Sequence, residues 1–147
     1  MSSPAVPKFV VGYFVASSIH TTRYAISDIP AESLTHLVYG FAQVDAGGQC
    51  RAQNPADDQI NLPQLAQLKA RHPNLSVLLG IGGPFGSGGF ASAAATPLGR
   101  TSFIASCLSA MKAGGFDGVE ISWQTPGSAE AIGFTQLLSE LRSQLDV

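Results

Sequence analysis

Ser76–Ile81 reads Ser-Val-Leu-Leu-Gly-Ile, with no polar residue alternating among its apolar ones. A strand with one face in water alternates polar and apolar, whereas a strand of a parallel sheet is covered on both faces and reads as a continuous apolar run. Working outward, three more runs rich in Val, Ile, Leu and aromatics read as strands: Lys8–Phe14 (KFVVGYF), His36–Val44 (HLVYGFAQV) and Gly118–Trp123 (GVEISW). Helical patterns separate them. Pro63 is expected to open the segment LPQLAQLKARH from a first-turn position, where its missing N–H is not needed. Thr96 and Pro97 are expected to cap and open the next helix, with Ile104, Cys107, Leu108 and Met111 as its apolar stripe and Gly114-Gly115 as its end. The last helix starts near Ser128, carries Glu130 in its first turn and repeats Phe134, Leu137, Leu138, Leu141 and Leu145 at helical spacing. Ser27–Leu34 (SDIPAESL) reads as a short helix or helical turn.

The order is βαβαβαβα, which implies an α/β fold, a parallel sheet of four βα units joined by right-handed crossovers. A doubly wound open sheet and part of a (β/α) barrel both fit. The chain has 147 residues, 45% of them hydrophobic, which suits one domain over 1–147 with a real core. Only 12% are charged and the net charge is −2, so no basic run exists to neutralise phosphates and nucleic acid is not an expected partner. No apolar stretch reaches the ~20 residues that span a membrane. The first ten residues, MSSPAVPKFV, show neither a basic region nor the apolar run of a signal peptide. Cys50 falls in what reads as a polar loop and Cys107 on an apolar stripe, so two free thiols with Cys107 buried are expected. His20, His36 and His72 show no metal-ligand spacing with each other or with the cysteines. Neither a metal nor a cofactor is expected.

Gly80-Ile81-Gly82-Gly83 follows the third strand, but a dinucleotide fingerprint needs its last glycine to open a helix directly. Phe85 stands at that place, and the next helix is expected only near Thr96, so the glycines read as a sharp turn at the rim of the sheet. The informative stretch is Phe116–Gly127, FDGVEISWQTPG. Strand alternation puts Glu120, Ser122 and Gln124 on one face and Val119, Ile121 and Trp123 on the other. Polar groups on a buried strand must be hydrogen-bonded or face a cavity. They form either a structural network or a site at the C-terminal end of a barrel strand, and the second reading is the better one.

At these residues the chain resembles glycoside hydrolase family 18, the chitinases and chitinase-like lectins, whose signature is D-G-x-D-x-D-x-E followed by Trp-Glu-Tyr-Pro. VVGYF at 10–14 is similar to the family's first strand and SDIPAESLTHLVYGFAQVD at 27–45 to the second strand with its lead-in. LKARHPNLSVLLGIGG at 68–83 resembles the approach to the family's S-x-G-G motif, and the segments at 90–118 and 126–146 resemble the following helices. The resemblance covers nearly the entire chain. It implies half of a (β/α)8 TIM barrel, the N-terminal half, because a complete barrel takes about 250 residues.

The resemblance also assigns roles. Family chemistry is substrate-assisted: the N-acetyl oxygen attacks the anomeric carbon, a Glu protonates the leaving oxygen and the middle Asp orients the acetamido group. In this sequence the acid position holds Gln124, the middle Asp position Ser122, and the first inward Asp position Glu120, while Asp117 is retained and Gly80 replaces the Ser of S-x-G-G. An amide is no general acid, and that loss alone costs roughly 10²–10⁴-fold. A neutral Ser122 gives no electrostatic help to the oxazolinium intermediate. Glu120 lies about 13 Å from Gln124 along an extended strand, too far to protonate the same oxygen. Some natural non-hydrolytic relatives also carry Gln at the acid position. Tyr13 and Phe41 match aromatic positions near the innermost sugar and fit lumen core equally well, and Gly82, Gly83 and Trp123 complete the expected ligand-binding set. Trp123 also fits packing under the fourth helix, and Pro84 stands where the family often has a sugar-stacking Trp.

The implied function is a catalytically impaired chitinase-like protein with weak binding of chitin or N-acetylglucosamine oligomers. The alternatives are a self-associating half barrel without sugar binding, or a fragment of a chitinase. Exposing about 600 Å² of apolar lumen would cost roughly 15 kcal/mol, and open sheet edges invite pairing, so a homodimer closing a pseudo-barrel is expected. Family resemblance suggests secretion, and the sequon Asn74-Leu75-Ser76 is compatible with it.

Overall fold

The computed structural model describes residues 8–146. The part of the leader reading that concerns residues 1–7 lies outside them. Five strands occur, β1 (Val11–Val15), β2 (His36–Val44), β3 (Cys50–Ala52), β4 (Ser76–Gly82) and β5 (Gly118–Ser122). The helices are α1 (Ser18–Thr21), α2 (Pro55–Arg71), α3 (Gly83–Gly86), α4 (Phe90–Ala95), α5 (Pro97–Gly114) and α6 (Ala131–Leu145). Strands β1, β2, β4 and β5 pair in that order, all parallel, and β3 folds back antiparallel on the end of β2. The α/β half barrel expected from the sequence is the fold observed.

Local chemistry explains most of the boundaries. Thr96 caps α5, its Oγ1 accepting from Gly99 N at 3.0 Å, and Gly115 ends the helix in the left-handed conformation. The 27–34 segment forms two short 3-10 turns, Ile26–Asp28 and Ala31–Ser33. A 3-10 turn at Ser128–Glu130 leads into α6, which buries Leu137 and Leu141 and leaves Leu138 exposed.

Several expectations are corrected. Helix α2 begins at Pro55, not Pro63; Pro55 takes the first-turn position, and Asp57 and Asp58 follow where the helix dipole favours acids. Pro63 lies inside the helix at the cost of a backbone hydrogen bond. Tertiary contacts outweigh that cost: Asn61 is fully buried and its Nδ2 donates to Ala16 O (3.0 Å) and Tyr39 OH (3.2 Å). Two short helices, α3 and α4, precede Thr96, so the stretch after β4 is not an extended loop. Strand β1 starts at Val11 rather than Lys8, and β5 stops at Ser122 rather than Trp123. Cys50 is not in a polar loop but is buried on β3. The hairpin that puts it there turns at Asp45, whose Oδ1 accepts from Gly47 N (3.0 Å) and Gln49 N (2.9 Å).

The core lies between the sheet and the helices. Leu37, Tyr39, Val77, Leu79 and Ile81 of the sheet are buried with Leu65 and Leu68 of α2, Phe103, Ile104 and Cys107 of α5, and Leu137 and Leu141 of α6. Among the described residues the opposite face has no such cover at β1, where Val11, Tyr13 and Val15 are 49%, 58% and 41% exposed.

Candidate functional site

The parallel order brings the C-terminal ends of β1, β2, β4 and β5 to one rim. Gly82 and Gly83 turn the chain there with φ of 104° and 70°, a region that favours glycine. A side chain on Gly82 would collide with the Ser122 carbonyl oxygen and with the Phe90 ring, and one on Gly83 would meet Phe41 at 2.9 Å. Both glycines are buried, so the structure gives them the work of letting β5 and Phe41 approach the turn. Ser87 Oγ then bridges the carbonyls of Gly83 (2.7 Å) and Ser122 (3.0 Å), tying the turn to the end of β5.

Phe41 sits where the β2–β4 register shifts, between Tyr39 and Ala42, and such irregularities re-aim a side chain. Its ring lies over Gly80, where an added Cβ would meet it at 2.9 Å. Gly80 pairs in register with Glu120. The half-buried Glu120 has lost water, which holds its carboxyl above the ordinary range, and among the described residues its Oε2 has no hydrogen-bond partner. Partial burial and the charge of Glu120 raise the Tyr13 phenol. Tyr13, Phe41 and Glu120 thus share the uncovered face. Ser122 and Gln124 continue it to the rim, where Gln124 Nε2 donates to Ser122 Oγ at 2.9 Å.

Two expected site residues are placed elsewhere. Asp117 lies just before β5, at the far end of that strand from Gln124; its Oδ2 accepts from Val77 N (2.8 Å) and its Oδ1 pairs with Lys69 Nζ (2.7 Å). Trp123 stacks on Phe90 with centroids 5.2 Å apart and meets Phe134 of α6 edge-on at 5.2 Å, so its ring is engaged in packing against the helices.

One rim residue escaped the sequence reading. Phe85 is 90% exposed and, with Val15, Phe41, Asn54 and Pro84, borders a cavity of about 330 Å³ at the ends of β1, β2 and β4. The signal was available: Phe85 is a large apolar residue inside a Gly/Pro turn with no periodic pattern to bury it. Among the described residues no three His, Cys, Asp or Glu side chains converge in a way that could hold a metal ion. No helix among them is long and apolar enough to cross a membrane.

The glycosyl hydrolases family 18 model matches residues 9–147. The chain belongs to glycosyl hydrolase family 18. Chitinase B of Serratia marcescens is 32% identical over 95% of this chain and 32% of its own length. Chitinase 1 of Aphanocladium album is 33% identical over 91% of this chain and 36% of its own. The group IV chitinase of Ostrinia furnacalis superposes with a TM-score of 0.87 at 31% identity, over 95% of this chain and 41% of that structure. Human YKL-39, described as a pseudo-chitinase with retained chitooligosaccharide binding properties, superposes at 0.79 and 27% identity, over 93% of this chain and 38% of that one. The chain therefore spans about a third of the length of these two relatives.

Proposed function

We propose that this family 18 chain is catalytically impaired and retains weak binding of N-acetylglucosamine oligomers. One observation carries the reading: the rim of β5 presents an amide, Gln124, hydrogen-bonded to a hydroxyl, Ser122. The family's chemistry needs an ionisable acid and an oriented carboxylate at these two positions. Neither side chain can protonate a leaving oxygen or carry a compensating negative charge, and loss of a general acid costs roughly 10²–10⁴-fold. Glu120 is a carboxyl, but it stands deeper along β5, beside Tyr13 and Gly80. Asp117 belongs to the frame through Lys69 and Val77.

Binding rests on aromatic surface. Pyranose rings have apolar faces that stack on aromatic side chains, and Tyr13, Phe41 and Phe85 offer such faces on the uncovered side and its rim. Trp123 takes no part, because Phe90 and Phe134 occupy its ring. A pseudo-chitinase with retained oligosaccharide binding among the structural neighbours supports the combination. Calorimetric titration with the N-acetylglucosamine hexamer tests it: saturable heat, weakened in Gln124→Ala, is expected. Absence of heat up to millimolar sugar overturns the binding, and turnover of a fluorogenic chitobioside by the unmodified chain overturns the impairment.

Among the described residues the β1 face is exposed and the outer edges of β1 and β5 are unpaired, which favours a second reading, self-association. Two copies, each placing β5 beside the partner's β1, would close a pseudo-barrel of parallel strands. A monodisperse species of 15.2 kDa in light scattering would overturn it.

A further inference from the structure

Cys50 and Cys107 are the two cysteines of the chain, and the fold brings them together from distant segments. Cys50 lies on β3 and is 5% exposed; Cys107 lies on α5 and is fully buried. Two side-chain bonds fix the hairpin to this helix. Gln49 Nε2 meets Ser102 Oγ at 2.6 Å, and the Cys50 backbone N–H donates to Ser106 Oγ at 2.9 Å, one residue before Cys107. The Cys50 amide is thus anchored on the residue next to Cys107, and both cysteines are buried where β3 packs on α5.

We propose that Cys50 and Cys107 are an oxidisable pair that closes into an intramolecular disulfide by exchange with a small disulfide, stapling the β2–β3 hairpin to α5. The Cys50 thiolate attacks one sulfur of the small disulfide, forming a mixed disulfide and releasing one thiolate. Cys107 then loses its proton and attacks Cys50 Sγ, which releases the second thiolate. The balance is two protein thiols and one small disulfide giving one protein disulfide and two small thiols. The environment sets this order. Cys50 sits on the short hairpin and is 5% exposed, whereas Cys107 is fully buried on α5, so the small disulfide meets Cys50 first. β3 is a three-residue strand paired only with β2, so the hairpin is a short element to lift for access. The closed loop contains α2, β4, α3, α4 and most of α5, long enough for substantial stabilisation.

The test is incubation of the folded chain with oxidised glutathione, followed by alkylation, intact mass and a non-reducing peptide map. The expected product has lost two hydrogens, takes up no alkylating agent, yields a Cys50–Cys107 linked peptide and melts several degrees higher, up to roughly 10 °C. Dithiothreitol should reverse all of these. Cys107→Ser should accumulate one glutathione adduct on Cys50, whereas Cys50→Ser should take up none while folded. Two thiols that stay free until the chain is unfolded, stable glutathione adducts on the unmodified chain, or disulfide-linked dimers would each overturn the proposal.

Discussion

The Nε2 of Gln124 donates to the Oγ of Ser122 at 2.9 Å, so the two outermost polar side chains of the β5 face satisfy each other. This pairing predicts that Gln124→Glu alone does not restore chitobioside hydrolysis. The new acid would face a neutral hydroxyl, with no neighbouring carboxylate to set its protonation or stabilise the positive intermediate. Substantial turnover by the single variant in a fluorogenic assay would contradict this account of Ser122.

Asp117 is predicted to act on stability and not on sugar. Asp117→Ala leaves the Val77 N–H without its acceptor and Lys69 without its ion-pair partner. The expected cost is about 2 kcal/mol in urea unfolding, mostly from the orphaned amide. Lys69→Met should cost less than about 1 kcal/mol, as expected for a pair in contact with water. Hexamer affinity, measured at a temperature where Asp117→Ala is folded, should match that of the unmodified chain.

Glu120 predicts a pH-dependent stability. Loss of water raises its folded pKa, so folding favours the protonated form. There is no cost below the ordinary value of 4.5, and the cost sets in as the pH rises towards and past the folded value. Glu120→Gln should therefore raise the melting temperature by about 1–2 °C near neutral pH and leave it unchanged in acid. An equal shift at both ends of the scale would exclude the carboxyl as its source.

Trp123 is the chain's single tryptophan, and its ring lies between Phe90 and Phe134. Its emission should report the docking of α4 and α6 on the sheet, shifting to the red on denaturation and staying in place on addition of sugar. Trp123→Leu should destabilise the fold by about 2–4 kcal/mol through lost area and aromatic contact.

Gly82→Ala combines a backbone angle that disfavours side chains with a collision at the Ser122 carbonyl. A loss of about 3 kcal/mol or failure to fold is expected. A variant of unchanged denaturant midpoint would mean that the β4 turn is looser than described.

Much of this architecture was legible because the apolar runs and caps act locally. The unbroken Ser76–Ile81 run, the Thr96-Pro97 start and the Gly115 end carry their own physics within a few residues. Pro63 misled because its missing N–H argues locally for a helix start, while the bonds of Asn61 to Ala16 and Tyr39 hold the helix continuous from outside it. The hairpin was announced by Asp45 and its following glycines, but a three-residue strand is too short to show alternation. At the site, alternation placed Glu120, Ser122 and Trp123 on their correct faces. Packing of Trp123 under the last helix was legible too, since Phe134 follows only eleven residues on; the stacking of Phe90 was not, because it comes from a short helix 33 residues upstream.

Asp117 and Gly118 open the signature, yet Asp117 fastens strand to strand and strand to helix rather than facing the rim. The motif is thus two instruments written in one line of sequence. One end fastens the frame, and under the proposed function the other faces the sugar. The letters at 117 and 118 speak of the frame, while those at 120, 122 and 124 stand on the face that the proposal assigns to sugar.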